Sequence, residues 1–126
     1  MTQVTAASLT SENKTQAFPA SVDSIPTGGN QEDFVSMAPW AGRKLLRILD
    51  NVVRILGIEL LVATQMLDMH RPLKPAPAAA GVRSLVRKHI KYSTCDRILS
   101  QDIEKAVDLI RSEKIIFKVE SRIKLR

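Results

Sequence analysis

Residues 35–69, VSMAPWAGRKLLRILDNVVRILGIELLVATQMLDM, decide the fold. Leu45, Ile48, Leu49, Val52, Leu56, Ala63, Met66 and Leu67 recur at intervals of three and four, the repeat of one helical face. Arg43, Arg47, Asn51 and Arg54 track the opposite face. Pro39 falls in the first turn, where its missing N–H costs little. The spacing predicts a single helix over 35–69. At about 1.5 Å per residue it would reach roughly 52 Å, far beyond an ordinary globular helix. Within it the polar stripe fades. Residues 58–63, IELLVA, are apolar around almost the whole circumference, with Glu59 the one charge. A helix apolar all round is covered all round. A chain of 126 residues is too small to do this alone, so the expected cover is other subunits or a further part of the same protein. Gly57 in mid-helix costs about 1 kcal/mol relative to Ala, a cost that a close helix crossing would explain.

Upstream, residues 1–14 read as a short helix with small side chains at Ala6, Ala7 and Ser8 beside Val4. No cap precedes it, as expected for a piece of a larger fold. Residues 15–34 hold Pro19, Pro26, Gly28 and Gly29 and few periodic apolar positions. They read as a structured loop of a length that is usually functional or disordered. Downstream, His70-Arg71-Pro72 ends the long helix, and Pro72, Pro75 and Pro77 make an extended connector. A helix over 77–90 follows, with Val82, Leu85, Val86 and Ile90 on one face, then a loop with Tyr92 and Cys95. Another helix is placed at 101–113 on Ile103, Ala106, Val107 and Ile110, with Ser100 as cap and Asp102 as first-turn acid. Residues 114–126 fit a strand through Phe117, Val119, Ile123 and Leu125, or a helix through Ile116, Val119 and Ile123. Their basic end, Arg122, Lys124 and Arg126, is expected to be poorly ordered. The fold class is all-α: one very long helix with shorter helices packed around it, in a single segment over 1–126.

Composition narrows the function. With aromatics at 4%, the core must come from Leu, Ile, Val, Ala and Met. The net charge of +6 is uneven. In residues 1–37 Lys14 stands against Glu12, Asp23, Glu32 and Asp33, a balance of −3, whereas the remainder has 18 basic and 9 acidic residues, +9. A basic half can meet nucleic acid, but no aromatic residues interleave as a stacking platform needs, and no nucleic-acid partner is expected. One cysteine, Cys95, excludes a disulfide framework and a Cys-based zinc site. No leader pattern opens the chain, and the most apolar window, 55–67, is too short and polar to span a bilayer. The chain reads as cytoplasmic, with no membrane partner.

Site-type chemistry is densest just before the long helix, in PASVDSIPTGGNQEDFVSM at 19–37. Asp23, the Gly28-Gly29 turn and Asn30-Gln31-Glu32-Asp33 are either a helix cap or a site. Asp33 or Ser36 can cap the helix start, and acidic residues there suit the helix dipole. Gly28-Gly29 leads into acids with no Lys, unlike a phosphate loop. Asp23, Glu32 and Asp33 match no calcium-loop spacing, and no metal is expected. His70 and His89 lie on or beside basic helices and complete neither a metal set nor a catalytic triad; Cys95 has no activating neighbour in sequence.

Five blocks in fixed order, ASLTSENKT at 7–15, PASVDSIPT at 19–27, NQEDFVSM at 30–37, IELLVATQMLDMHRPLKPAP at 58–77 and DRILSQDIEKAVDLI at 96–110, resemble the histidine ammonia-lyases of the aromatic amino acid ammonia-lyase family. The resemblance covers nearly all of this chain and the C-terminal part of the family's longer one. It implies membership of a homotetramer whose long helices bundle together. It implies elimination of ammonia from L-histidine to give urocanate, with a methylidene-imidazolone electrophile formed from an internal Ala-Ser-Gly. The family's site Gln-Glu pair falls on Gln31 and Glu32. Glu32 would contact the substrate or its departing amine as an acid/base, as a carboxylate can when burial raises its pKa. Phe18 and Phe34 stand where many histidine lyases have histidine, which places Phe34 near the substrate ring. Glu32 favours the histidine branch, since the phenylalanine enzymes have Gln at this place. No Ala-Ser-Gly occurs in the sequence, and its only tyrosine is Tyr92. Alone, the chain is therefore expected to be inactive: a truncated product, part of a split enzyme or an excised piece, whose partners are further copies or an N-terminal lyase portion. The alternatives are a non-catalytic helical assembly or regulatory subunit, a part of a phenylalanine or tyrosine ammonia-lyase or aminomutase, and a basic nucleic-acid-binding module.

Overall fold

The computed structural model describes residues 2–123. Five helices follow in order: α1, Thr2–Gln16; α2, Ala38–Met69; α3, Pro77–His89; α4, Ser100–Arg111; and α5, Lys114–Glu120. The fold is all-α and is dominated by the 32 residues of α2. Among the described residues the only β-type pairing is an isolated antiparallel bridge between Thr27 and Glu32. No helix among them is long and apolar enough to cross a membrane. The chain forms two compact units, Ala7–Val52 and the described residues on either side of it.

In the larger unit the core is Val86 and Ile90 from α3 and its end, with Ala106 and Leu109 of α4. Leu60, Leu61, Val82, Leu85 and Ile115 pack against it. Pro77 opens α3, where its fixed φ suits the first turn, and Arg87, Lys88 and His89 place positive charge at its negative end. Gly57 marks a close crossing of α2 and α4. A Cβ built there would lie 3.3 Å from Val107 Cγ2, 3.5 Å from Val107 N and 3.6 Å from Ala106 Cβ. The 58–63 stretch is covered on one side only: Ile58 is buried, Leu60 and Leu61 are half-buried, and Val62 is exposed.

Two local expectations are corrected, and one open alternative is decided. Ser100 is the first residue of α4, and Leu99 precedes it as the cap, its carbonyl accepting from the Ile103 N–H at 2.9 Å. The tail from Lys114 to Glu120 is helical, because Ile115 finds the core while no neighbouring strand offers a ladder. The long helix opens at Ala38, with the Met37 carbonyl accepting from Trp40 and Ala41 at 3.1 Å each. Asp33 and Ser36 therefore do not cap it. The Val35 N–H is held instead by Ser24 Oγ at 2.9 Å, which keeps this segment in the loop. The expectation for Lys124, Leu125 and Arg126 lies outside the described residues.

In the unit Ala7–Val52 the apolar stripe of α2 is largely open, with Ile48 alone half-buried. Leu45, Leu49 and Val52 are exposed, whereas Lys44 and Asn51 are buried. The two polar side chains go inward because they have partners there. Lys44 Nζ donates to the Phe18 carbonyl, and Asn51 Nδ2 donates to Asn13 Oδ1 at 2.9 Å. Each replaces a water contact by a protein one, so burial leaves neither unsatisfied.

Candidate functional site

The loop between α1 and α2 is shaped by its own backbone. Thr27 and Glu32 exchange two hydrogen bonds, Thr27 N–H to Glu32 O at 3.2 Å and Glu32 N–H to Thr27 O at 3.3 Å. The turn they close has three consecutive left-handed residues: Gly28 at φ 60°, Gly29 at 66° and Asn30 at 69°. Two glycines adopt this region freely and asparagine tolerates it, so GGN is the sequence that can make the turn. The Gln31 N–H reaches the Gly28 carbonyl at 3.4 Å. At the other end, Lys44 of α2 ties down Phe18, and Ser24 ties down Val35.

Gln31, Glu32 and Asp33 leave this turn as exposed side chains. Phe34, three-quarters exposed, lines a hollow of about 230 Å³ with Ser21, Asp23, Ser36, Met37, Ala38 and Ala41. The loop thus brings Phe34 together with Asp23 and Ser36 at the mouth of α2, while Gln31 and Glu32 lie on the adjoining turn and do not line the hollow. Phe18 is exposed. A carboxylate, a carboxamide and an aromatic ring on four consecutive residues can hold an ammonium, a carboxylate and a ring. Among the described residues Asp23, Glu32 and Asp33 form no group that could hold a metal ion. The methylidene-imidazolone does not fit this chain as a source, because the sequence has no Ala-Ser-Gly to form it. Sequence reasoning missed the anchoring roles of Lys44 and Ser24. Their partners are 26 and 11 residues away, a separation no local spacing reveals.

The likeness of the chain to known proteins places this loop in a family. The aromatic amino acid lyase family model matches residues 1–88. The chain belongs to that family. The histidine ammonia-lyase of Yersinia enterocolitica is 56% identical over 108 residues, 86% of this chain and 21% of that protein. The crystal structure of histidine ammonia-lyase from Trypanosoma cruzi superimposes with a TM-score of 0.90 at 42% identity, over 94% of this chain and 23% of that one. A tyrosine aminomutase from Streptomyces globisporus superimposes with a TM-score of 0.89 at 31% identity, over 98% of this chain and 24% of its own. The chain spans about a fifth of the length of the curated relatives it matches.

Proposed function

We propose that this chain is the C-terminal part of a cytosolic histidine ammonia-lyase, which eliminates ammonia from L-histidine to give urocanate. The observation that carries this reading is the likeness to histidine ammonia-lyases, at 56% and 42% identity against 31% for the tyrosine aminomutase. The electrophile's precursor is not among these 126 residues, so recognition and proton handling are the work that falls to this chain. Glu32 holds the substrate ammonium, accepts one of its protons as the free amine forms, and returns a proton to the nitrogen as it leaves as ammonia. Gln31 orients the substrate, and Phe34 faces its ring.

Assembly belongs to the same reading. Leu45, Leu49, Val52, Leu56 and Met66 of α2 are exposed and follow three-and-four spacing. Such a stripe suits pairing with another long helix, and exposed apolar faces of this kind mark interaction sites. We assign it to further copies of the chain in a tetramer.

The test is co-expression with an N-terminal lyase portion that carries Ala-Ser-Gly. Histidine, phenylalanine and tyrosine are then offered in turn. Urocanate formation is the expected result. Turnover of phenylalanine or tyrosine in place of histidine would move the chain to those branches. A stable, correctly assembled but inactive complex would leave a non-catalytic assembly subunit.

A further inference from the structure

Near the end of α2, one carboxylate faces three guanidinium groups. Asp68 Oδ1 accepts from Arg83 Nε at 2.6 Å and also from Arg83 Nη2. Its Oδ2 accepts from Arg87 Nε at 2.6 Å. Arg87 is then largely spent, since Nη1 donates to the Ile90 carbonyl and Nη2 to Gln65 Oε1, both at 3.1 Å. Arg71 is different. Its Nη2 stands 3.5 Å from Asp68 Oδ1, too far for a good hydrogen bond, and its side chain is 70% exposed. The third nitrogen of Arg83, Nη1, is not among the donors to Asp68.

The three arginines, Asp68 and Tyr92 line an open hollow of about 490 Å³. The Tyr92 ring centroid lies 5.8 Å from the Arg87 guanidinium, and its residue is partly exposed. Residues 68–92 contain six Lys or Arg against Asp68 alone, so the segment supplies no second carboxylate. Asp68 neutralises one of the three guanidinium charges and leaves two. Arg83 and Arg87 are mostly buried, at 22% and 17% side-chain exposure, so water screens their excess charge less than it would at an open surface. Guanidinium forks match tetrahedral oxyanions in geometry and charge.

We propose that this hollow binds a phosphate-type oxyanion, free or as the terminal group of a small metabolite. Arg71 and Arg83 supply the charge, and the Tyr92 hydroxyl supplies a further donor. The hollow shares no residue with the Glu32 loop, so its fate does not depend on the lyase reading.

The test uses the 126-residue chain, titrated with inorganic phosphate in one arm and glycerol phosphate in the other. Ionic strength is held constant, and binding is followed by calorimetry and phosphorus NMR linewidth. The expected result is saturable one-to-one binding at about millimolar concentration. Arg71→Gln, at an exposed position, weakens it about tenfold with unchanged circular dichroism. Tighter binding of the ester assigns the site to a metabolite's phosphate, and equal or weaker binding of the ester assigns it to the free ion. Absence of saturable binding in both arms overturns the proposal and leaves the excess charge to a protein carboxylate. Wild-type affinity in Arg71→Gln overturns it equally.

Discussion

Replacing Gly57 by alanine sets two effects of similar size against each other. In a helix interior, Gly→Ala stabilises by about 1 kcal/mol. At the crossing with α4 the added methyl would lie 3.3 Å from Val107 Cγ2, closer than comfortable van der Waals contact, while Val107 N at 3.5 Å and Ala106 Cβ at 3.6 Å are ordinary neighbours. Ala106 and Val107 are at most 1% exposed, so they have little room to yield. Overpacking of this kind costs about 1–3 kcal/mol, and one tight contact belongs at the lower end, about 1 kcal/mol. The net change expected for Gly57→Ala is therefore near zero. Val107→Ala removes Cγ2, and in that background Gly57→Ala should recover its gain of about 1 kcal/mol. Urea unfolding of the four chains, followed by circular dichroism and fitted with a common slope, closes the cycle. A full gain in the wild-type background, with no coupling to Val107, would refute the crossing.

Asp68 makes a second test. Burial raises its pKa, but the hydrogen bonds and charges of Arg87 and Arg83 outweigh burial and hold the carboxyl below its usual 3.8. The unfolded chain then binds more protons between the two values. Stability should rise with pH through that acid window and level off above it. Asp68→Asn should flatten this acid limb and cost about 2 kcal/mol at neutral pH, as read by urea unfolding at several pH values. The apolar stripe of α2 makes a third. The chain should self-associate at micromolar concentration, and Leu49→Lys with Leu56→Lys should yield a smaller species by light scattering with helicity retained. An unchanged mass would place the contact elsewhere.

The long helix was legible because its signal is local: a 3.6-residue period over more than thirty residues survives any tertiary context. Gly57 was legible as a local cost that needed a reason. The facing of the helix was less so. Asn51 read as part of the polar face, yet it is buried against Asn13, and Lys44, with no role read from the sequence, is buried against Phe18, both partners far away in sequence. Likewise, the ties of Arg83 and Arg87 to Asp68 span 15 and 19 residues across the proline-rich connector and follow no helical spacing. Residues 114–126 satisfied two periods at once, and over 114–120 contact of Ile115 with the core chose the helix. At the site, Gly28-Gly29 announced the turn, while the left-handed Asn30 and the Ser24–Val35 tie had no sequence signal beyond residue type. The capping role given to Asp33 or Ser36 failed because Val35 was already bonded to Ser24 and the helix could begin only later.

The central proposal is that the loop before α2 supplies Glu32 to an ammonia-lyase site as an acid/base. Its most direct test is the urocanate rate of Glu32→Gln in the enzyme reunited with its Ala-Ser-Gly portion, measured beside Asp33→Asn. Both side chains are exposed and adjacent, so assembly should survive in each, as checked by light scattering. The account predicts that Glu32→Gln lowers kcat by a factor on the order of 10² or more and that Asp33→Asn leaves it near the wild-type value. A wild-type kcat in Glu32→Gln would contradict the claim, and so would equal loss in both variants accompanied by loss of the tetramer.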